Sequence, residues 1–190
     1  MPEAEYINFG QKLAFHTAPT LLGIKCANLI SLSCDEYDID AHCEYFNRKV
    51  CSKGLEMKVL CRCEKLARIL IYNKKMLSER IKDKNVRIML EKCGYDKNAS
   101  LDECLEYLGS RISCCDSFPH EIGIFLGYPL EDVEGFIRNK GENFKLCGCW
   151  KVYGNAESAQ RTFTSYDRCR KFLCRKLNEG ADIYQALRIS

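Results

Sequence analysis

With 190 residues, 46% of them apolar and 29% charged, the chain has the composition of one folded globular unit, which excludes disorder over most of its length. Its 29 Lys+Arg stand against 26 Asp+Glu, a formal net charge of +3. The two signs alternate along the chain, so it lacks the concentrated positive charge that phosphate backbones select, and nucleic acid is excluded as a partner.

The first predicted element is a short amphipathic helix from Tyr6 to Ala14, with Tyr6, Phe9 and Leu13 on one face. Its end is set before His16-Thr17-Ala18-Pro19-Thr20, because a proline disfavours α geometry in the residue before it. A second helix is expected from about Lys25 through Leu32, which puts Cys26 in its first turn. The acidic stretch Cys34 to His42 reads as a loop, with His42 facing solvent, and leads into a helix over 44–50 closed by Ser52-Lys53-Gly54. Residues 55–64 and 66–73 read as two strands joined by a tight turn near Glu64-Lys65. In the first, Met57, Val59, Cys61 and Cys63 alternate with charged or bulkier neighbours, and the second holds the apolar run Ile69-Leu70-Ile71-Tyr72.

A single helix is predicted over 74–92, ending at Cys93-Gly94 with the glycine suited to a C-cap. Ser100-Leu101-Asp102-Glu103 has the pattern of a capping box, so a helix runs from Leu101 to about Ile112. Residues 118–129 fit strand or helix, and the stretch from Leu130 is helical. Phe144 to Tyr153 reads as a strand, 155–178 as a long helix and 182–187 as a short one. The sum is an α+β fold: several helices packed on a small antiparallel sheet in a single domain over 1–190. No apolar run approaches the roughly 20 residues that span a bilayer, and Met1-Pro2-Glu3-Ala4-Glu5 lacks the pattern of a signal peptide. A cytoplasmic protein without a membrane partner is the expectation.

That location decides how the 14 cysteines are read. In a reducing compartment they are free thiols, not a disulfide framework. The pairs Cys61/Cys63, Cys114/Cys115 and Cys147/Cys149 are also too close for easy bridging within each pair. The Cys-x-x-Cys spacing of zinc ribbons and thioredoxin-type enzymes occurs nowhere, so neither a metal nor a cofactor is expected.

Cys26 stands apart, because a helix start and the neighbouring Lys25 both favour thiolate over thiol. A nucleophilic thiol needs a base, and His16 and His120 are the candidates. The segment His120-Glu121-Ile122-Gly123-Ile124-Phe125-Leu126-Gly127-Tyr128 resembles the histidine segment of papain-like cysteine peptidases, in which a histidine opens a strand ending in Gly-Tyr. The resemblance covers about ten residues and implies a papain-like arrangement, with Cys26 as nucleophile and His120 as base. Asp132 and Asn155 are candidates for the third residue that orients the imidazole. Thr20, His16 and Lys25 are candidates for oxyanion or substrate binding.

Two longer blocks resemble a domain-of-unknown-function family, number 3793, of small proteins mostly from anaerobic bacteria. One is His16-Thr17-Ala18-Pro19-Thr20-Leu21-Leu22-Gly23-Ile24-Lys25. The other runs from Phe118-Pro119-His120 through Gly127-Tyr128-Pro129 to Asn139-Lys140-Gly141, and then Cys147-Gly148-Cys149-Trp150-Lys151-Val152-Tyr153-Gly154. The chain departs from that family's pattern at Thr17, where cysteine is usual, and at Cys26, where it is not. The family brings no activity with it.

The leading expectation is therefore a cysteine-dependent acyl-transfer enzyme acting on a small acyl substrate. One form of it makes an amide bond from a thioester carried on an acyl or peptidyl carrier protein. One alternative is a non-catalytic protein that holds a metal or haem with His16, His120 and the Cys147/Cys149 pair. The other is a structural or interaction protein in which Trp150 packs inside and Tyr37 or Tyr45 marks a partner surface.

Overall fold

The apolar run at residues 69–72 becomes the middle strand of a sheet buried on both faces, the setting in which a strand needs no polar side. A computed structural model describes residues 2–63, 65–114 and 118–189. In it β3 (Leu66–Asn73) lies between β1 (Ala27–Ser33) and β2 (Leu55–Cys63), antiparallel to both. Successive side chains of β3 point to opposite faces, so Ala67, Ile69 and Ile71 enter one apolar cluster while Leu70 and Tyr72 enter another. The expected turn between β2 and β3 includes Glu64, which lies outside the described residues.

The first cluster is closed by α1 (Glu3–Leu21), α2 (Ile39–Val50) and α9 (Ile183–Ala186), which contribute Phe9, Leu13, Phe46, Val50 and Ile183. The second is closed by α3 (Lys74–Lys82), α4 (Lys84–Lys92), α5 (Leu101–Cys114), α6 (Ile122–Phe125) and α7 (Leu130–Asn139). The long helix α8 (Ala156–Asn178) lies along α1, and a two-strand hairpin of β4 (Leu146–Cys147) and β5 (Lys151–Val152) packs Trp150 and Val152 beside Ala159 and Tyr166 of α8. The fold is thus α+β, helices on a small antiparallel sheet.

Several sequence expectations are corrected here. Residues 27–33 form strand β1, not a helix. Ala27 and Leu29 face one cluster and Ile30 and Leu32 the other, and seven residues are too few for periodicity alone to separate strand from helix. Helix α1 runs past the expected stop to Leu21 with Pro19 inside it. Proline has no N–H to give the carbonyl four residues back, here that of Phe15. Arg170 of α8 supplies the missing donor, its Nε lying 3.1 Å from the Phe15 oxygen.

The single helix expected over 74–92 breaks at Asp83, whose carboxylate accepts from the N–H groups of Asn85 (2.9 Å) and Val86 (3.0 Å) and so starts a new helix. Helix α2 starts earlier than expected, at Ile39, with the Asp38 carboxylate before it accepting from Ala41 N–H. His42 is buried instead of solvent-facing. It stacks on Phe9 with ring centroids 3.8 Å apart and sits 2.9 Å from Glu5 Oε1. Burial holds its pKa below the usual imidazole value despite Glu5. Tyr37 is buried as well, and Tyr45 packs edge-on against Tyr6 and Tyr184. The expected strand over 144–153 is the short β4–β5 hairpin.

The capping box forms as the sequence indicates: Ser100 N–H donates to Glu103 Oε2 at 2.7 Å and Glu103 N–H to Ser100 Oγ at 3.3 Å. Gly94, just past α4, has φ 92°, the left-handed geometry a C-terminal glycine serves. Among the described residues no disulfide joins two cysteines. Cys115 of the Cys114/Cys115 pair lies outside the described residues. Among the described residues no helix is long and apolar enough to cross a membrane.

Candidate functional site

Helix α7 carries Asp132 on its buried side, and this carboxylate is the anchor of the hairpin that follows. Its Oδ2 accepts from Trp150 Nε1 at 2.7 Å, and its Oδ1 accepts from the N–H groups of Tyr153 (2.7 Å) and Gly154 (2.8 Å). Three donors on two oxygens leave Asp132 turned toward the hairpin, the geometry of a structural anchor. The fixed hairpin then forms one wall of a cleft of about 420 Å³. Trp150, Gly148 and Cys147 stand on that wall, Phe136 and Val133 come from α7, and Phe118, Pro119, His120 and Tyr128 are among the residues that line the rest.

Apolar and aromatic groups dominate this cleft, with a few polar ones among them, the usual constitution of a small-molecule site. His120 is exposed and its ring meets Phe136 edge-on, with centroids 5.1 Å apart. Cys147 is exposed too. Lys151 is already engaged: its ammonium donates to Gly141 O at 2.8 Å and lies over the rings of Phe136 and Phe144. Tyr128 stacks on Trp150, centroids 4.9 Å apart, and donates from its hydroxyl to Cys149 O at 3.2 Å.

Cys26 lies elsewhere. It precedes β1, so the helix dipole expected to favour its thiolate is absent. The thiol is buried and donates to Phe125 O at 3.3 Å, and burial pushes its pKa up against the pull of Arg80 and Lys25. Gly127, with φ +78°, is required beside it, since a Cβ there would come within 2.8 Å of the sulfur. Cys26 lines a separate cleft of about 270 Å³ with Lys25, Arg80, Glu79 and Tyr166, and His120 is not among that cleft's lining residues.

The remaining sequence candidates disperse. Thr20 is buried and its hydroxyl donates to Asn28 Oδ1 at 2.7 Å, tying α1 to β1. His16 is exposed on α1 beside Phe15, its pKa lowered by burial and by Lys12 and Arg170. Asn155 caps α8 through Ser158 N–H at 2.9 Å. His120 opens a turn into the four-residue α6, so the strand of the papain-like segment does not form. Among the described residues no three His, Cys, Asp or Glu side chains gather closely enough to hold a metal ion.

Of the sequence candidates, then, His120, Asp132 and Cys147 meet around one cleft, and Cys26 and Lys25 around another. The sequence offers Cys147 only as a metal ligand, and the signal for its place on the cleft that His120 also lines is that both lie in the second of the two blocks quoted above. No curated protein and no solved structure matches the chain. A family model described as a protein of unknown function (DUF3793) matches residues 13–187, and the chain belongs to that family.

Proposed function

We propose that the protein is a thiol-dependent acyl-transfer enzyme whose chemistry sits in the His120 cleft, with Cys147 as the nucleophile in place of Cys26. One observation carries the reading: an exposed cysteine and an exposed histidine line the same aromatic cleft, while the thiol of Cys26 is buried and committed to a backbone carbonyl. The apolar wall of Trp150, Phe136 and Val133 suits the hydrocarbon part of an acyl group. In the transfer, His120 takes the proton of Cys147 and the sulfur attacks the acyl carbonyl. The S–C bond forms as the donor thiolate leaves with that proton, and the acyl group then passes from Cys147 to water or to an amine. Lys25, Thr20 and His16 have no part in this cleft, and Asp132 acts by holding the hairpin on which Cys147 rides.

The test is to expose the full chain to a short-chain acyl thioester and locate the added acyl mass by peptide mapping. Acyl transfer to Cys147 that falls about a hundredfold in His120→Ala is the expected result, the usual contribution of a positioned base. Equal acylation of all exposed cysteines would remove the proposal.

A further inference from the structure

The second cleft holds an electrostatic imbalance. Lys25 is only 5% exposed, and the partners of its ammonium are the faces of two tyrosines, Tyr128 at 5.2 Å and Tyr166 at 5.6 Å from the ring centroids. Among the described residues no carboxylate pairs with it; the acidic groups that reach it are the thiols of Cys26 and Cys149. Burial therefore pulls the Lys25 pKa down to about 8, with the two thiols acting in the opposite direction.

Arg80 lines the same cleft. Its Nε donates to Ile124 O at 2.6 Å and its Nη2 to Tyr128 O, neutral acceptors that satisfy hydrogen bonds without balancing the charge. Cys26 and Tyr166, which lie near it, are a neutral thiol and phenol, and Asp83 forms no ion pair with it. Glu79, exposed at the rim, is the one carboxylate among the described lining residues. A buried ammonium and a half-buried guanidinium without a matching anion among the described residues are costly to hold, and the site is open to solvent on one side.

We propose that the cleft beside Lys25 is a binding site for a phosphate group, received between the Lys25 ammonium and the Arg80 guanidinium. A dianion is the ligand that balances two unpaired cations. Arginine and lysine are the two residues that phosphate sites employ, arginine as a planar fork and lysine as a point charge. Inorganic phosphate and a phosphate ester share this chemistry. Glu79 repels either one, and the site stands independently of the acyl-transfer reading because it uses neither His120 nor Cys147.

The experiment is calorimetric titration of the full chain with inorganic phosphate, with phenyl phosphate, and with acetate at matched ionic strength, on wild type, Glu79→Gln and Lys25→Met. Wild type is expected to bind phosphate and not acetate. Glu79→Gln, a change at an exposed rim position, should tighten binding about threefold. Lys25→Met should weaken it about tenfold or more. Tighter binding of phenyl phosphate than of phosphate identifies an ester as the source, and equal or weaker binding identifies free phosphate. Absence of phosphate binding to wild type, equal binding of acetate, or an affinity indifferent to Glu79→Gln overturns the proposal.

Discussion

Asp132→Ala is expected to destabilise the protein by about 4 kcal/mol, the largest effect of any single substitution on this face. The carboxylate is buried and accepts from the Trp150 indole and from two backbone N–H groups, all three of which lose a charged acceptor at once. The tie between α7 and the hairpin then fails, and the wall bearing Cys147 and Trp150 moves into water. Urea denaturation followed by the fluorescence of Trp150, the only tryptophan in the chain, reads both effects. A lowered midpoint should come with a red-shifted native spectrum. Asp132→Asn keeps one acceptor oxygen and should recover roughly half the loss. A wild-type midpoint in Asp132→Ala would show that the hairpin holds its place by apolar packing alone.

Arg111→Ala is the second large effect, about 3 kcal/mol. Glu121 is 3% exposed, and Arg111 Nε donates to its Oε1 at 2.5 Å, with the Tyr95 hydroxyl a weaker donor at 3.5 Å. Removing the guanidinium leaves a carboxylate inside the second cluster with Tyr95 as its remaining side-chain donor among the described residues, and desolvation without compensation is the costly case. Arg111 itself is about a third exposed, so the pair contributes less than that loss when intact. The double variant Arg111→Ala/Glu121→Gln replaces the stranded charge by a neutral amide and should be more stable than Arg111→Ala alone. Chemical denaturation of the four proteins of the cycle gives the coupling. Glu121 adjoins His120 at the start of α6, so the same substitution should loosen the turn that presents the imidazole.

The elements that were legible in the sequence are those decided by local chemistry. The capping box at Ser100, the glycine at 94 and the doubly buried run 69–72 each carry their own physical cause and needed no distant partner. The misread elements were settled from far away along the chain. Helix α1 survives Pro19 because Arg170, 155 positions beyond Phe15, supplies the missing donor. Strand β1 exists because β3 pairs with it from Ala27 to Ser33, and a heptapeptide of mixed apolar and polar residues carries no mark of that pairing. His42 is buried because Phe9 stacks on its ring and the half-buried Glu5 meets its Nε2.

The same division holds for the site. His120 was visible from its unusual setting, but the argument for Cys26 depended on a helix start that β1 replaced. Asp132 was visible as a carboxylate near the histidine segment. Its engagement with Trp150, Tyr153 and Gly154 follows only from the return of the chain through the hairpin. Cys147 and His120 stand 27 positions apart, and it is that return which brings them to one cleft.

The most direct measurement is the rate of iodoacetamide alkylation of each cysteine in native protein, from mildly acidic to mildly alkaline pH, on wild type and His120→Ala. Cys149 is the internal control, exposed like Cys147 and two residues away. If the chemistry sits in the His120 cleft, Cys147 alkylates faster than Cys149 at the acidic end, loses that lead in His120→Ala, and outpaces the buried Cys26 throughout. A Cys26 that reacts first, or a Cys147 that matches Cys149 with and without His120, would contradict it.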